Sequence, residues 1–224
     1  MQEYITIYLI RHARQNSPLC NVNVELAEEG IIQSRLLGQR LKHYEIDRVY
    51  SSHLTRAAMT ADIVRDELGM KCDKEEVGVC IIEDLQETDF GELTGLSDEV
   101  LKVKYAAYFA ARDMLCEDLR IPGGENGQEV YLRMSRAMNH IIENALEKRS
   151  SAVAVVSHGG AIRCYLAGIL GMPWSHRFMI AKNMENTAIM ELRFHIANQV
   201  ISVERLNDYA HLEGHEELLR KHFK

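Results

Sequence analysis

Prolines are scarce, three in 224 residues, and no low-complexity run interrupts the chain. No linker is expected, and a single domain over 1–224 is. No stretch approaches the roughly 18 uninterrupted apolar residues of a membrane helix. The first residues carry no basic segment followed by an apolar run and a small-residue cleavage site. Neither a secretory signal nor a membrane partner is therefore expected. The cysteines, Cys20, Cys72, Cys80, Cys116 and Cys164, are odd in number and scattered, with no C-x-x-C pair. That pattern argues against a disulfide framework or a zinc site and for reduced thiols in a cytoplasm. Positive charge is in the minority, 26 Lys and Arg against 33 Asp and Glu, for a net charge of −7. No nucleic-acid partner is expected from that balance, which still leaves room for a local basic pocket.

What is present is a 46% hydrophobic content arranged in periodic runs, enough for a full-sized core. Ile5-Thr6-Ile7-Tyr8-Leu9-Ile10 is an unbroken β-branched and aromatic run that stops at Arg11-His12 and a polar loop. From about Ala27 to Tyr44 the spacing predicts a helix. Ile31, Ile32, Leu36, Leu37 and Leu41 form its apolar face, and Gln33, Arg35, Gln39, Arg40 and Lys42 the other. Ile46 to Tyr50 predicts a short strand, and Leu54 to Leu68 a second helix closed by Gly69. Residues 79–82 predict another strand, running into an acidic loop from Glu83 to Gly95. Residues 96–121 suggest helix from their Ala, Tyr and Phe content, and a helical lid inserted at about 96–150 is expected, including a long helix from about Gln128 to Lys148. Ala152 to Val156 is the most strand-like run, and Ser157-His158-Gly159-Gly160 opens a helix reaching Leu170. Thr187 to Phe194 and Val200 to Leu206 read as two strands around a turn. The alternation predicts an α/β protein, a three-layer α/β/α sandwich whose mostly parallel central sheet has one antiparallel edge strand.

Three strand ends carry basic or imidazole groups: Arg11 and His12, Arg56, and His158. Another carries a carboxylate, Glu87. In a parallel sheet such ends share one edge and can converge. Arg56 falls in the first turn of a helix, where a cation opposes the dipole, a reason to look for an anion nearby. Two arginines suit bidentate binding of a phosphoryl group. A neutral histidine can attack phosphorus while a carboxyl group protonates the leaving oxygen. Backbone N–H groups at Gly159 would favour an anion at the helix start. On chemistry alone Glu83, Asp84, Asp89 and Glu92 compete with Glu87.

In this order the motifs resemble the histidine phosphatase superfamily, also called phosphoglycerate mutase-like, from about Ile5 to Leu212. Arg11-His12-Ala13 resembles its Arg-His-Gly motif, and Leu26 to Gln33 its Leu-Thr-x-x-Gly-x-x-Gln helix entry. Ser52 to Ala57 resembles Ser-x-x-x-Arg-Ala, and Leu85, Glu87, Phe90 and Gly91 fit Leu-x-Glu-x-x-Phe-Gly. Pro122 to Asn126 and Val156 to Arg163 fit two further motifs, with Asn186-Thr187, Asn207-Asp208 and His211-Leu212 resembling later elements. The resemblance implies a phosphoglycerate mutase-like fold, with His12 as the nucleophile that forms a phosphohistidine. It implies that Arg11, Arg56 and His158 bind the phosphoryl oxygens. Glu87, singled out only by the Leu-x-Glu register, would be the general acid and then the base for water. Neither a metal nor a cofactor is implied. The implied partner is a small-molecule phosphate ester, and a homodimer is left open.

Two positions depart from the family. It usually has Gly and then Glu or Gln after the nucleophile, where this chain has Ala13 and Arg14. Arg14 either contacts the substrate beyond its phosphate, at a carboxylate or second phosphate, or points to solvent or pairs with a loop acid. Asn16 is a further candidate for the phosphoryl group. The expected activity is phosphomonoester hydrolysis, because the Glu87 loop resembles the phosphatase branch. Only 70 residues lie between Glu87 and His158, where mutases of the family carry a longer insertion. A cofactor-dependent phosphoglycerate mutase is the alternative. An inactive phosphate-ester-binding module, suggested by Ala13-Arg14 alone, is the third reading.

Overall fold

Strand β1 (Tyr4–Arg11) is buried on both sides because both faces of the sheet are covered. The computed structural model describes residues 2–70 and 78–220. On one side β1 pairs in parallel with β4 (Ala152–Ser157), which pairs in parallel with β2 (Arg48–Ser51), and β2 in turn with β3 (Cys80–Ile81). On the other side β5 (Ile189–His195) runs antiparallel to β1, and β6 (Val200–Asp208) returns against β5. The strand order is β3-β2-β4-β1-β5-β6. The sheet is thus mostly parallel, with β5 reversed next to the β6 edge, as a hairpin requires.

Alternation along β1 splits the core in two. Ile5, Ile7 and Leu9 pack with helices α5 (Gly127–Lys148) and α6 (Gly159–Ile169). Tyr8 and Ile10 face the layer of α1 (Glu28–Leu41) and α2 (Thr55–Glu67). Burying each such side chain contributes roughly 1.5–3 kcal/mol. The α5 helix starts at a capping box, with Asn126 Oδ1 accepting from Glu129 N at 2.9 Å. It belongs to the sheet's helical layer, so the helical part outside the layers is shorter than 96–150. It consists of α3 (Asp98–Lys104) and α4 (Ala106–Asp113). Leu93, Leu101, Tyr105 and Ile121 give that part its own small core, against which Cys20 and Phe90 pack.

Several local expectations change. Gln33 is fully buried in α1, not on its outer face, and Ile32 is exposed. The helix expected to run to Tyr44 tightens into a 3-10 turn at Lys42–Tyr44. Thr187 precedes β5 rather than belonging to it, at a φ of 58°. Cys72 lies outside the described residues. Cys20, Cys80, Cys116 and Cys164 are free thiols. Among the described residues no helix is long and apolar enough to cross a membrane.

Candidate active site

The C-terminal ends of β1 and β4 bring two imidazoles together. The His12 and His158 rings are 5.0 Å apart between centroids, and both are buried. His12 is fixed through its backbone, its N–H donating to Ser157 O at 2.9 Å and its carbonyl accepting from Asn186 Nδ2 at 2.9 Å. Its Nδ1 lies 2.7 Å from Ala13 O. A carbonyl only accepts, so Nδ1 carries the proton and Nε2 the lone pair. Nε2 accepts from Arg56 Nε at 3.2 Å. Burial, with Arg11 and Arg56 nearby, holds the His12 pKa well below the usual imidazole value. The side chain is therefore a neutral base with its lone pair already aimed at a guanidinium.

Buried donors surround it. Arg56 is 2% exposed, and its Nη1 and Nη2 donate to Val22 O and Asn21 Oδ1 at 3.1 and 2.9 Å. Arg11 Nη1 donates to Met184 O at 2.5 Å, while its buried Nε has no acceptor. Burial and then the Arg220 and Arg163 charges push the Arg11 pKa down to about 9, so it remains protonated at neutral pH. His158 Nε2 lies 2.9 Å from Ser52 Oγ, and its buried Nδ1 is also unpartnered. Its pKa is well below the ordinary value, first through burial and then through His12 and Arg56. An unpaired buried donor is costly, and Arg11 Nε is one that marks a place for an anion.

The anion expected at the start of α6 is supplied by the protein itself. Glu87 Oε1 accepts from Ala161 N at 2.9 Å and Thr88 N at 2.8 Å, and Oε2 from Gly160 N at 3.2 Å. The carboxylate thus occupies the helix N-terminus, and Gly159 is not among the residues lining the cleft. Gly160 is glycine for contact reasons, since a Cβ there would stand 2.6 Å from Glu87 Oε1. The Glu87 loop is held from behind by Arg133, which is 5% exposed. Its guanidinium donates to the carbonyls of Asp84, Gln86 and Glu87 and pairs with Glu125 at 2.8 Å. Sequence reasoning missed this clamp, because nothing in the α5 periodicity marks one arginine as buried.

These groups open onto a cleft of about 720 Å³. Its walls include Arg11, His12, Arg56 and Glu87, as expected, together with Arg14. Asn16 is not among them. It is exposed, and its backbone N–H bonds Glu25 O, whereas Gln15 and Ser17 line the cleft. His158 sits behind His12 rather than in the wall. Arg14 is bound up mainly with the protein: Nη2 donates to the carbonyls of Leu218 and Leu219 at 3.1 and 2.9 Å, and Nη1 lies 3.6 Å from Glu29. Ala13 is buried, does not adopt a positive φ, and donates its N–H to Thr60 Oγ1 at 3.0 Å. Alanine therefore brings no backbone strain here. Gly30 is glycine because a Cβ would stand 2.2 Å from Arg14 O. Cys20, Asn21, Phe90, Asn186 and Arg220 complete the cleft, and of these Phe90 and Asn186 fell in family-like motifs. Among the described residues no group of three His, Cys, Asp or Glu is placed to hold a metal ion.

The buried imidazoles make stability depend on pH. His211, with Nε2 2.9 Å from Thr187 Oγ1, has its pKa pushed down to about 4 by burial. His12 and His158 shift the same way. In each case the unfolded chain binds a proton that the folded chain refuses. The stabilisation is thus complete above the unfolded value near 6.5 and is lost as pH falls toward the folded value. For His211 alone the loss between those limits is roughly 3 kcal/mol. Urea midpoints measured from pH 7 to pH 4.5 are expected to fall steadily, and His211→Asn to flatten that fall. A midpoint constant over this range would contradict the burial of these rings as neutral groups.

A neutral imidazole with a directed lone pair, buried guanidinium donors and a carboxylate at one sheet edge are the parts of a phosphoryl-transfer site. Residues 7–208 match the histidine phosphatase superfamily (branch 1). The chain belongs to that family. A 2,3-bisphosphoglycerate-dependent phosphoglycerate mutase of Brucella melitensis is 29% identical over 176 residues, covering 75% of this chain and 82% of the relative. A Salmonella choleraesuis protein named "Probable phosphoglycerate mutase GpmB" is 27% identical over 219 residues, covering 94% and 96%. The mycobacterial glucosyl-3-phosphoglycerate phosphatase, solved with inorganic phosphate, superposes with a TM-score of 0.78 at 21% identity, over 92% of this chain and 99% of that one. Phosphoserine phosphatase from Entamoeba histolytica, in complex with 3-phosphoglyceric acid, gives 0.70 at 22%, over 93% and 99%. At these identities the two structures show the shared fold. The mutase relatives align over most of their own length.

Proposed function

We propose that the protein is a phosphomonoester hydrolase acting on a small phosphorylated metabolite through a phosphohistidine at His12. The observation that carries the reading is the His12 tautomer: with Nδ1–H on Ala13 O, Nε2 is left as a lone pair, and Arg11 Nε close by is a buried donor that lacks an acceptor. An arriving phosphoryl group takes over the Arg56 Nε–H bond from Nε2 and finds a donor in Arg11 Nε. The Nε2–P bond forms as the bond from phosphorus to the leaving oxygen breaks, and that oxygen takes a proton from Glu87, which enters this step as the neutral acid after taking up a proton from the bound ester or from solvent. Glu87 then takes a proton from water as the water oxygen attacks phosphorus, and Nε2 regains its lone pair. The Ala13 carbonyl supports the charge that develops on the ring, and the arginines offset the charge on the phosphoryl oxygens.

The reading of hydrolysis over phosphoryl return is supported by the opening of the cleft to solvent, which would let water reach the phosphorylated imidazole. A phosphoglycerate mutase is the second reading, supported by the names of the sequence relatives. One comparison tests the choice. The phosphatase reading expects inorganic phosphate from several monoesters without added bisphosphoglycerate. Interconversion of 3- and 2-phosphoglycerate that requires 2,3-bisphosphoglycerate, with no net phosphate release, would establish the mutase instead.

A further inference from the structure

The segment Leu218–Arg220 is built into the cleft wall from three directions. Leu218 is buried, and its carbonyl accepts from Gln33 Nε2 at 2.7 Å and Arg14 Nη2 at 3.1 Å. Leu219 O accepts from the same Arg14 nitrogen at 2.9 Å. The Arg220 backbone N–H donates to both carboxylate oxygens of the buried Glu185, at 3.1 Å each. Gln33 also accepts from Arg14 N at 2.9 Å, so one buried amide ties the loop after His12 to the tail. Position 14, where the chain departs from its family's pattern, is thereby explained: an acid there would repel these carbonyls, and arginine holds them.

The result of this anchoring is a further guanidinium in the cleft. Arg220 Nη1 donates to Met184 O at 3.0 Å, the same oxygen that accepts from Arg11 Nη1. Two cations fixed on one carbonyl repel each other; the buried Glu185 carboxylate beside them offsets part of that repulsion, and an anion in the cleft would offset more. The Nε and Nη2 groups of Arg220 have no acceptor among the described residues, and the side chain lines the cleft. The phosphoryl group at His12 already has Arg11 and Arg56. Arg220 is a donor fork in excess of what that group needs, and a carboxylate or phosphate matches such a fork.

We propose that Leu218–Arg220 is a specificity element of the active site: Arg220, positioned by Arg14, Gln33 and Glu185, binds a second anionic group of the substrate. The preferred substrates are then small phosphomonoesters bearing a carboxylate or a second phosphate, a statement that rests on the phosphatase reading above. Arg14 in this account is a positioning residue rather than a substrate contact.

Two matched pairs test it on the full chain, with kcat/KM read by phosphate release. 3-Phosphoglycerate and glycerol 3-phosphate differ by a carboxylate, and propane-1,3-diol bisphosphate and 3-hydroxypropyl phosphate by a second phosphate. Wild type is expected to prefer the doubly anionic member of at least one pair by about 10- to 100-fold, the range of a charge-assisted bond. The pair with the larger ratio identifies the group. Arg220→Gln, which keeps the backbone bond to Glu185, is expected to bring that ratio close to one, and Arg220→Lys to retain part of it. Arg14→Gln, which frees the tail carbonyls, is expected to lower the ratio as well. A purely structural role would reduce both members of a pair together and leave the ratio intact. A wild-type ratio near one in both pairs, or an unchanged ratio in active Arg220→Gln, overturns the inference and leaves the phosphatase reading standing. No phosphate release by wild type from any of the four esters removes that reading, and the subsite with it.

Discussion

Replacing His12 by asparagine is expected to lower phosphate release by on the order of 10⁴-fold or more, at every substrate concentration. Asparagine is close in shape to the imidazole's inner half and can keep a contact with the Ala13 carbonyl, so the fold should survive. What it cannot supply is a lone pair at the Nε2 position. Arg11, Arg56 and the Glu87 carboxylate all remain, which makes the variant a binder of phosphate esters without turnover. Steady-state release and ester binding measured by calorimetry separate the two effects. Retention of more than about a tenth of wild-type activity would show that water attacks the ester directly and that His12 only assists.

Glu87→Gln has the second largest expected effect, a loss of about 10²- to 10⁴-fold in kcat. Its dependence on the leaving group is the more informative part. Alkyl phosphates need a proton at the departing oxygen, whereas 4-nitrophenolate leaves without one. The loss in kcat/KM is therefore expected to be large for glycerol 3-phosphate and small for 4-nitrophenyl phosphate. Hydrolysis of the phosphohistidine needs Glu87 as a base whichever ester formed it, so kcat should fall for both. Equal losses in kcat/KM for the two esters would assign proton donation to another group. The amide can still accept from Ala161 N through its oxygen but turns an NH₂ toward a second backbone N–H, so circular dichroism and urea unfolding should accompany the kinetics.

The parts of this site that were legible in the sequence are those governed by local pattern. β1 and β4 read as buried strands because apolar runs covered on both faces do not alternate. Their polar ends, like those of the two shorter strands ahead of Arg56 and Glu87, then had to lie at one sheet edge, where His12, Arg56, Glu87 and His158 can converge. What was not legible depends on contacts far along the chain. Gln33 looked like a surface residue because periodicity counts polar groups as outward; it is buried because Arg14 N and Leu218 O satisfy its amide. Arg133 and Arg220 reach the site by tertiary packing that no local spacing encodes. Asn16 could not be told from its neighbours because a loop gives no phase; Gln15, which bridges Leu26, and Ser17 line the cleft, and Asn16 does not. The helix start at Gly159 was rightly read as attractive to an anion, and the chain fills it with its own Glu87.

The central claim is that phosphorus passes through Nε2 of His12. Glu87→Gln turning over 4-nitrophenyl phosphate tests it most directly, because the bond to His12 forms readily there and breaks slowly. Quenched during turnover, digested and mapped, that variant is predicted to carry close to one acid-labile phosphate per chain, on the peptide containing His12. Release of 4-nitrophenolate with His12 unmodified, or with the phosphate on another residue, would contradict the account.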